Sequence, residues 1–215
     1  MNNMNTMDNA NTVHITIGHC KLLGVNSINT STTTNPYCYT QRKNPLKICS
    51  KCYAKRFETL RSVLLGAFER NSFLYKKPIA IRELPAISAK CFRFHSYGEL
   101  HNTLHLENYA AIARFNPETT FALWTKRPSL ATRAFAPGKL PKPSNLILIY
   151  SSPYLDKIED LPNQYFDKVF TVFTKEGAQE FEDAFNIGMN CHGSCLSCLK
   201  CYQHNDQTFI RELVK

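Results

Sequence analysis

Asn145–Tyr150 reads Asn-Leu-Ile-Leu-Ile-Tyr. A strand this continuously apolar has to be covered on both faces, which is the habit of parallel sheets. Lys90–His95, Thr120–Thr125 and Lys168–Thr174 read as further strands. Helical patterns come between and after them, over about Leu104–Phe115, briefly after Pro128, and over about Glu176–Phe185. The strands start at about 90, 120, 145 and 168, so one unit takes roughly 25 residues, the size of a βα repeat. Alternation of this kind predicts an α/β fold with a parallel sheet covered by helices. An open doubly wound sheet and a barrel both fit. A full eightfold barrel typically takes ~250 residues; this chain has 215. The expectation is a partial or reduced TIM-like barrel of about five or six strands. No glycine-rich phosphate loop follows any strand, which weighs against dinucleotide binding.

Residues 1–11 are polar and nearly devoid of large side chains and read as a disordered tail. Residues 12–215 read as a single α/β domain ending in a cysteine-rich loop. Val13–Ile17 alternates apolar and polar residues and predicts a short strand, Leu22–Ile28 a weaker one, and Ser27–Pro36 a loop. Cys52–Tyr75 carries the longest helical pattern, with Phe57, Leu60, Leu64, Leu65, Phe68 and Phe73 near helical spacing and Pro78 ending it.

Nine cysteines are clustered rather than scattered. No apolar stretch near the N-terminus reads as a signal peptide, and no run reaches the ~20 apolar residues of a membrane span. The expectation is a cytoplasmic protein whose thiols serve metal or catalysis rather than disulfides. Cys191, Cys195, Cys198 and Cys201 are spaced C-x3-C-x2-C-x2-C. Close spacing of this kind lets successive thiolates reach adjacent irons of a 4Fe-4S cluster. Zinc is the alternative, with His192 and His204 as substitute ligands. Cys38, Cys49 and Cys52 form a second group, and Cys52 opens the long helical pattern, where the dipole favours a thiolate. These three could hold a second cluster, share the first, or stay buried thiols. Cys20 and Cys91 are isolated and read as buried structural thiols.

Parallel α/β folds gather function at the C-terminal ends of strands. There the sequence places His95, Ser96 and Glu99, then Thr125 and Lys126, then Ser151 and Ser152, then Thr174 and Lys175. His95, Glu99 and Lys126 are the catalytic candidates, with His95 and Glu99 a possible acid–base pair. His101 and His105, at i and i+4, read as a solvated helix face. The formal charge is +9, and Lys126, Arg127, Arg133, Lys139 and Lys142 form the densest basic stretch, which would suit phosphate-rich partners.

Cys49-Ser-Lys-Cys-Tyr-Ala54, Arg93-Phe-His-Ser-Tyr-Gly-Glu99, Trp124-Thr-Lys126 and the terminal cysteine run occur in that order. Together they resemble an uncharacterised bacteriophage protein family, labelled after phage gene product eighty-eight, across roughly residues 35–202. The resemblance implies a viral source, the cytoplasm of a host cell and a metal site rather than a known activity. A more distant likeness is to radical S-adenosylmethionine enzymes, which use a partial barrel and a three-cysteine cluster. Phe94–Glu99 is similar to their cofactor-binding strand end. The spacing C-x3-C-x2-C falls after the last strand here rather than the first, and Cys201 would close the open iron. Three functions follow as expectations: an iron–sulfur protein for electron transfer or regulation, partnered by a host redox protein; a radical enzyme binding S-adenosylmethionine, with an auxiliary cluster; and a basic nucleic-acid-binding module with a structural metal. No membrane partner is expected.

Overall fold

The computed structural model describes residues 12–214; the tail expected over 1–11 lies outside them. Seven strands form one mixed sheet: β1 (Ile15–Thr16), β2 (Ser27–Ile28), β3 (Cys91–Phe94), β4 (Thr120–Thr125), β5 (Leu146–Ser151), β6 (Lys168–Phe173) and β7 (Phe209–Leu213). Their spatial order is their chain order. β1 runs antiparallel to β2, and every later pair is parallel, from Ser27 beside Arg93 to Leu213 beside Phe173. The α/β class and the parallel core match the sequence reading. The sheet has seven strands rather than five or six, and no pairing joins β1 to β7 among the described residues.

Sequential parallel strands with right-handed crossovers place their connections on one side. Helix α4 (Thr103–Phe115) and helix α5 (Pro128–Ala134) cover that side. The two-residue period of the strands divides the apolar residues between the faces. Phe92, Phe94, Phe121, Leu123, Leu146 and Leu148 pack with Leu106, Tyr109, Ile112 and Leu130 in the main core. Cys91, Ala122, Ile147 and Ile149 point the other way. That second face is covered by the C-terminal cysteine segment, through Tyr202 with Cys195, Leu199 and Cys201. Covering a strand on both faces removes the apolar area that a bare face would leave in water.

The long helical pattern near the N-terminus is broken. It forms α2 (Tyr53–Leu60), α3 (Ser62–Glu69) and a 3₁₀ segment over Arg70–Tyr75, with Arg61 at φ −137° and ψ 88° as the break. Leu60 and Val63 beside the break stay exposed, so their helical spacing does not mark a buried stripe. Before them comes α1 (Pro36–Arg42), capped by Asn35 through Tyr37 N. After β6, α6 (Lys175–Phe185) is capped by Thr174. β7 is not visible in the sequence pattern, because Arg211 and Glu212 interrupt it. Arg211 is nonetheless buried, its guanidinium donating to Gly188 O at 3.2 Å.

Candidate thiol site

The chain after α6 follows the free edge of β7. Asn190 N and Cys191 N both donate to Arg211 O, at 3.1 and 2.9 Å. Ser194 caps α7 (Cys195–Cys198), a single turn that ends at Leu199 with a left-handed φ of 52°. A 3₁₀ turn over Lys200–Tyr202 follows, and Tyr202 meets Trp124 at 6.0 Å between ring centroids. This path brings Cys191, Cys195, Cys198 and Cys201 to the wall of one cavity of about 20 Å³. Cys191 also faces a wider pocket of about 540 Å³, whose walls include Cys20, Lys21, Gly193 and Glu212.

Lys21 Nζ stands 3.0 Å from Cys191 Sγ and 2.6 Å from Glu212 Oε1. Burial works against the lysine's charge, but its bonds to Glu212 and Cys191 hold it above the usual lysine range. Burial also pushes the Cys191 thiol up, and the Lys21 hydrogen bond pulls it back. Burial raises Cys195 as well, and pushes Cys201 up to about 12. Cys191 is thus the thiol of the run that has a hydrogen-bonded cation to favour its thiolate. Lys21 was not singled out in the sequence: it lies 170 residues from Cys191, and no local pattern marks it. Cys20, expected to be buried, is exposed, whereas Cys91 is buried as expected.

A second polar cluster lies at the C-terminal ends of β3, β4 and β5. The Glu99 carboxylate accepts from Thr125 Oγ1 at 2.5 Å, Leu100 N at 2.8 Å and Lys126 N at 2.9 Å. Lys126 Nζ donates to Ser151 Oγ at 3.0 Å. Above them the 3₁₀ turn Ile48–Lys51 is pinned by Ile48 N donating to Pro153 O at 2.9 Å. Cys38, Cys49 and Cys52 gather here. Burial raises Cys49, and the Lys126 ammonium opposes it. Burial also raises Cys38, with Glu99 adding to the effect. Glu58, another residue not singled out, holds this roof in place. Its buried carboxylate accepts from Ser31 Oγ, from the N–H and hydroxyl of Thr32, and from the N–H and hydroxyl of Thr33.

His95 and Glu99 do not form the expected pair. His95 takes a left-handed φ of 62°, and its Nε2 lies 3.0 Å from Tyr109 Oη and 3.2 Å from Thr30 Oγ1. His101 and His105 are not a solvated face either. His105 is wholly buried, its ring centroid 5.1 Å from that of His95, and Tyr75 stacks on His101 at 3.6 Å. Burial lowers His95 to about 3 and His101 to about 4, and lowers His105 well below the usual histidine range.

The family model described as Gene product 88 matches residues 29–205, from the loop after β2 to the turn before β7. The chain belongs to the Gene product 88 family. No curated protein and no solved structure matches it. The resemblance to the phage gene product family therefore holds.

The metal reading does not hold for this Gene product 88 family member. Among the described residues, no three His, Cys, Asp or Glu side chains form a group that could hold a metal ion. The cysteines share a cavity, and the Lys21 ammonium stands 3.0 Å from Cys191 Sγ in its wall. The iron–sulfur protein, whether for electron transfer or regulation, is withdrawn, and with it the nucleic-acid module stapled by a metal. The basic stretch of that module is largely engaged within the fold: Arg127 donates to Leu100 O and His101 O, Lys139 pairs with Glu107, and Lys142 pairs with Asp167. The radical S-adenosylmethionine likeness gains no support. Glu99, which would take the cofactor's amino group, is committed to three internal donors. Gly98, at φ 106°, is a glycine because a Cβ would stand 2.6 Å from Thr30 O. No described helix is long and apolar enough to cross a membrane.

Proposed function

We propose that this protein exchanges thiols for disulfides at Cys191. One observation carries the reading: a lysine ammonium 3.0 Å from the Cys191 sulfur, at the wall of an open pocket, with three more thiols lining the cavity behind it. Thiol–disulfide exchange needs an accessible thiolate and a second thiol close by to resolve the mixed disulfide. Lys21 favours the Cys191 thiolate. That thiolate attacks a partner disulfide, forming a mixed disulfide and releasing one partner thiol. Cys198, whose charge bears on Cys191, then attacks the Cys191 sulfur. The product is a Cys191–Cys198 disulfide and a second released thiol, so two protein thiols are oxidised and one partner disulfide is reduced. The scaffold reads as a partial TIM-like barrel, supported by its sequential strand order.

The test is a trap. Reduced full-length chain carrying Cys198→Ser is mixed with an aromatic disulfide and mapped by peptide mass spectrometry. Cys191 should retain the aromatic thiol as a mixed disulfide, while the unmutated chain releases it within minutes and shows a Cys191–Cys198 bond. A label spread evenly over the cysteines, or absent from Cys191, would remove the proposal.

A further inference from the structure

We propose that Cys49 and Cys52 form a second redox-active dithiol, driven by Lys126 and open only to small anionic disulfides. It is a site apart from Cys191 and stands or falls independently of it. The segment Cys49-Ser-Lys-Cys52 lies in a 3₁₀ turn closed by Cys52 N donating to Cys49 O at 3.2 Å. A turn closed in this way keeps its first and last Cα atoms within about 7 Å. A disulfide spans roughly 4.4–6.8 Å between Cα atoms. The turn therefore holds the two cysteines at about the Cα separation that a disulfide bridges.

Burial raises the Cys49 thiol, and two lysines oppose that rise. The turn is fixed on one side by Ile48 N on Pro153 O and on the other by Tyr53 Oη on Ser96 O at 2.5 Å. Lys126, held by Ser151, is the cation whose charge bears most on Cys49, and Lys47 adds to it, against Cys52 and Glu99. Cys38 sits in the same cluster under the influence of Glu99, with burial keeping it protonated. The roles follow: Cys49 attacks, Cys52 resolves, and Cys38 stays a thiol. The three thiols are half-buried, Cys38 on α1 itself, and Tyr37, on the same helix, donates to Lys126 O. Half-buried thiols admit a small disulfide more readily than that of a folded protein, and the lysine favours carboxylates on that small molecule.

In the reaction, the Cys49 thiolate attacks one sulfur of the small disulfide and expels the other half as a thiolate, which takes up a proton. Cys52 loses its proton and attacks the Cys49 sulfur, forming Cys49–Cys52 and expelling the second half. Two cysteines are oxidised, and one disulfide becomes two thiols.

The test uses reduced full-length chain and glutathione disulfide, with an acid quench, alkylation and peptide mapping. The expected product is a Cys49–Cys52 bond with Cys38 alkylated, hence reduced. Cys52→Ser should accumulate glutathione on Cys49. Raising a thiol's pKa lowers its thiolate fraction but makes the thiolate more nucleophilic, so Lys126→Gln should slow the reaction roughly threefold per pKa unit at pH 7, and Lys126→Arg should restore it. Cys49→Ser should lose this bond while leaving exchange at Cys191 unchanged; Cys191→Ser should keep it. Cys49 and Cys52 remaining reduced, label on Cys38, or a Lys126→Gln rate equal to that of the unmutated chain would overturn the proposal.

Discussion

Lowering the pH from 6.5 to 4.5 is expected to remove about 2 kcal/mol of folding stability through His95, with His105 adding to the loss. Both rings are buried in the fold, with His95 at 4% and His105 at 0% exposure. Three ring nitrogens in this cluster, His95 Nδ1, His101 Nε2 and His105 Nε2, are buried without a hydrogen-bond partner. A proton added there would be a desolvated charge, and Arg93, Arg127 and Lys76 add repulsion around His95 and His101. Below 6.5 the unfolded chain binds protons that the folded chain refuses, so stability falls as pH falls. It continues to fall until the folded His95 titrates, at about 3. Typical domains have about 5–15 kcal/mol in total, so this loss is a substantial share of it. Urea titrations at pH 7.5 and 4.5, followed by circular dichroism, measure this. His105→Gln should recover part of the loss, which separates the histidines from the carboxylates. Equal stability at the two pH values would contradict the placement of the cluster.

Replacing Glu58 with alanine is the second large effect. Five donors from Ser31, Thr32 and Thr33 lose their acceptor at once, and Glu58 itself is only 2% exposed. Leaving such a group of buried donors unpaired costs about 4 kcal/mol. For a domain of this size that is about 10 °C in Tm. Glu58→Gln retains a carbonyl acceptor but loses the charge, and should fall about halfway between. The same change frees the loop from α2, the helix that Cys52 precedes. A calorimetric scan measures the shift, and a Tm unchanged in Glu58→Ala would show that the loop is held by other contacts.

What was legible in the sequence follows from burial on two faces. Asn145–Tyr150 predicts its strand to within a residue, because Leu146–Ile149 pack on both sides of the sheet. Phe92 with Phe94, and Phe121 with Leu123, mark the helix-covered face by their two-residue period. β7 was hidden because its buried Arg211 looks like a surface residue until Gly188 O and Asn190 supply its partners. The break at Arg61 has no proline or glycine to announce it. At the site, the four terminal cysteines do share one cavity, as their spacing suggests. Spacing alone cannot distinguish a metal from a lysine as the cation beside a thiol. Lys21 comes from the other end of the chain, 170 residues from Cys191, and no local pattern joins the two. The histidines misled for a related reason. An i, i+4 pair looks solvated unless a third ring, here His95 from β3's end, is known to pack against it.

The central claim is that Lys21 makes Cys191 the reactive thiol. Rate-resolved alkylation of the native chain at pH 7, with each cysteine followed by its own peptide, tests it most directly. The account predicts that Cys191 reacts faster than Cys195 and Cys201, and that Lys21→Met slows Cys191 roughly threefold or more while leaving Cys20 unchanged. Cys191 reacting no faster than Cys201, or at the same rate with and without Lys21, would contradict it.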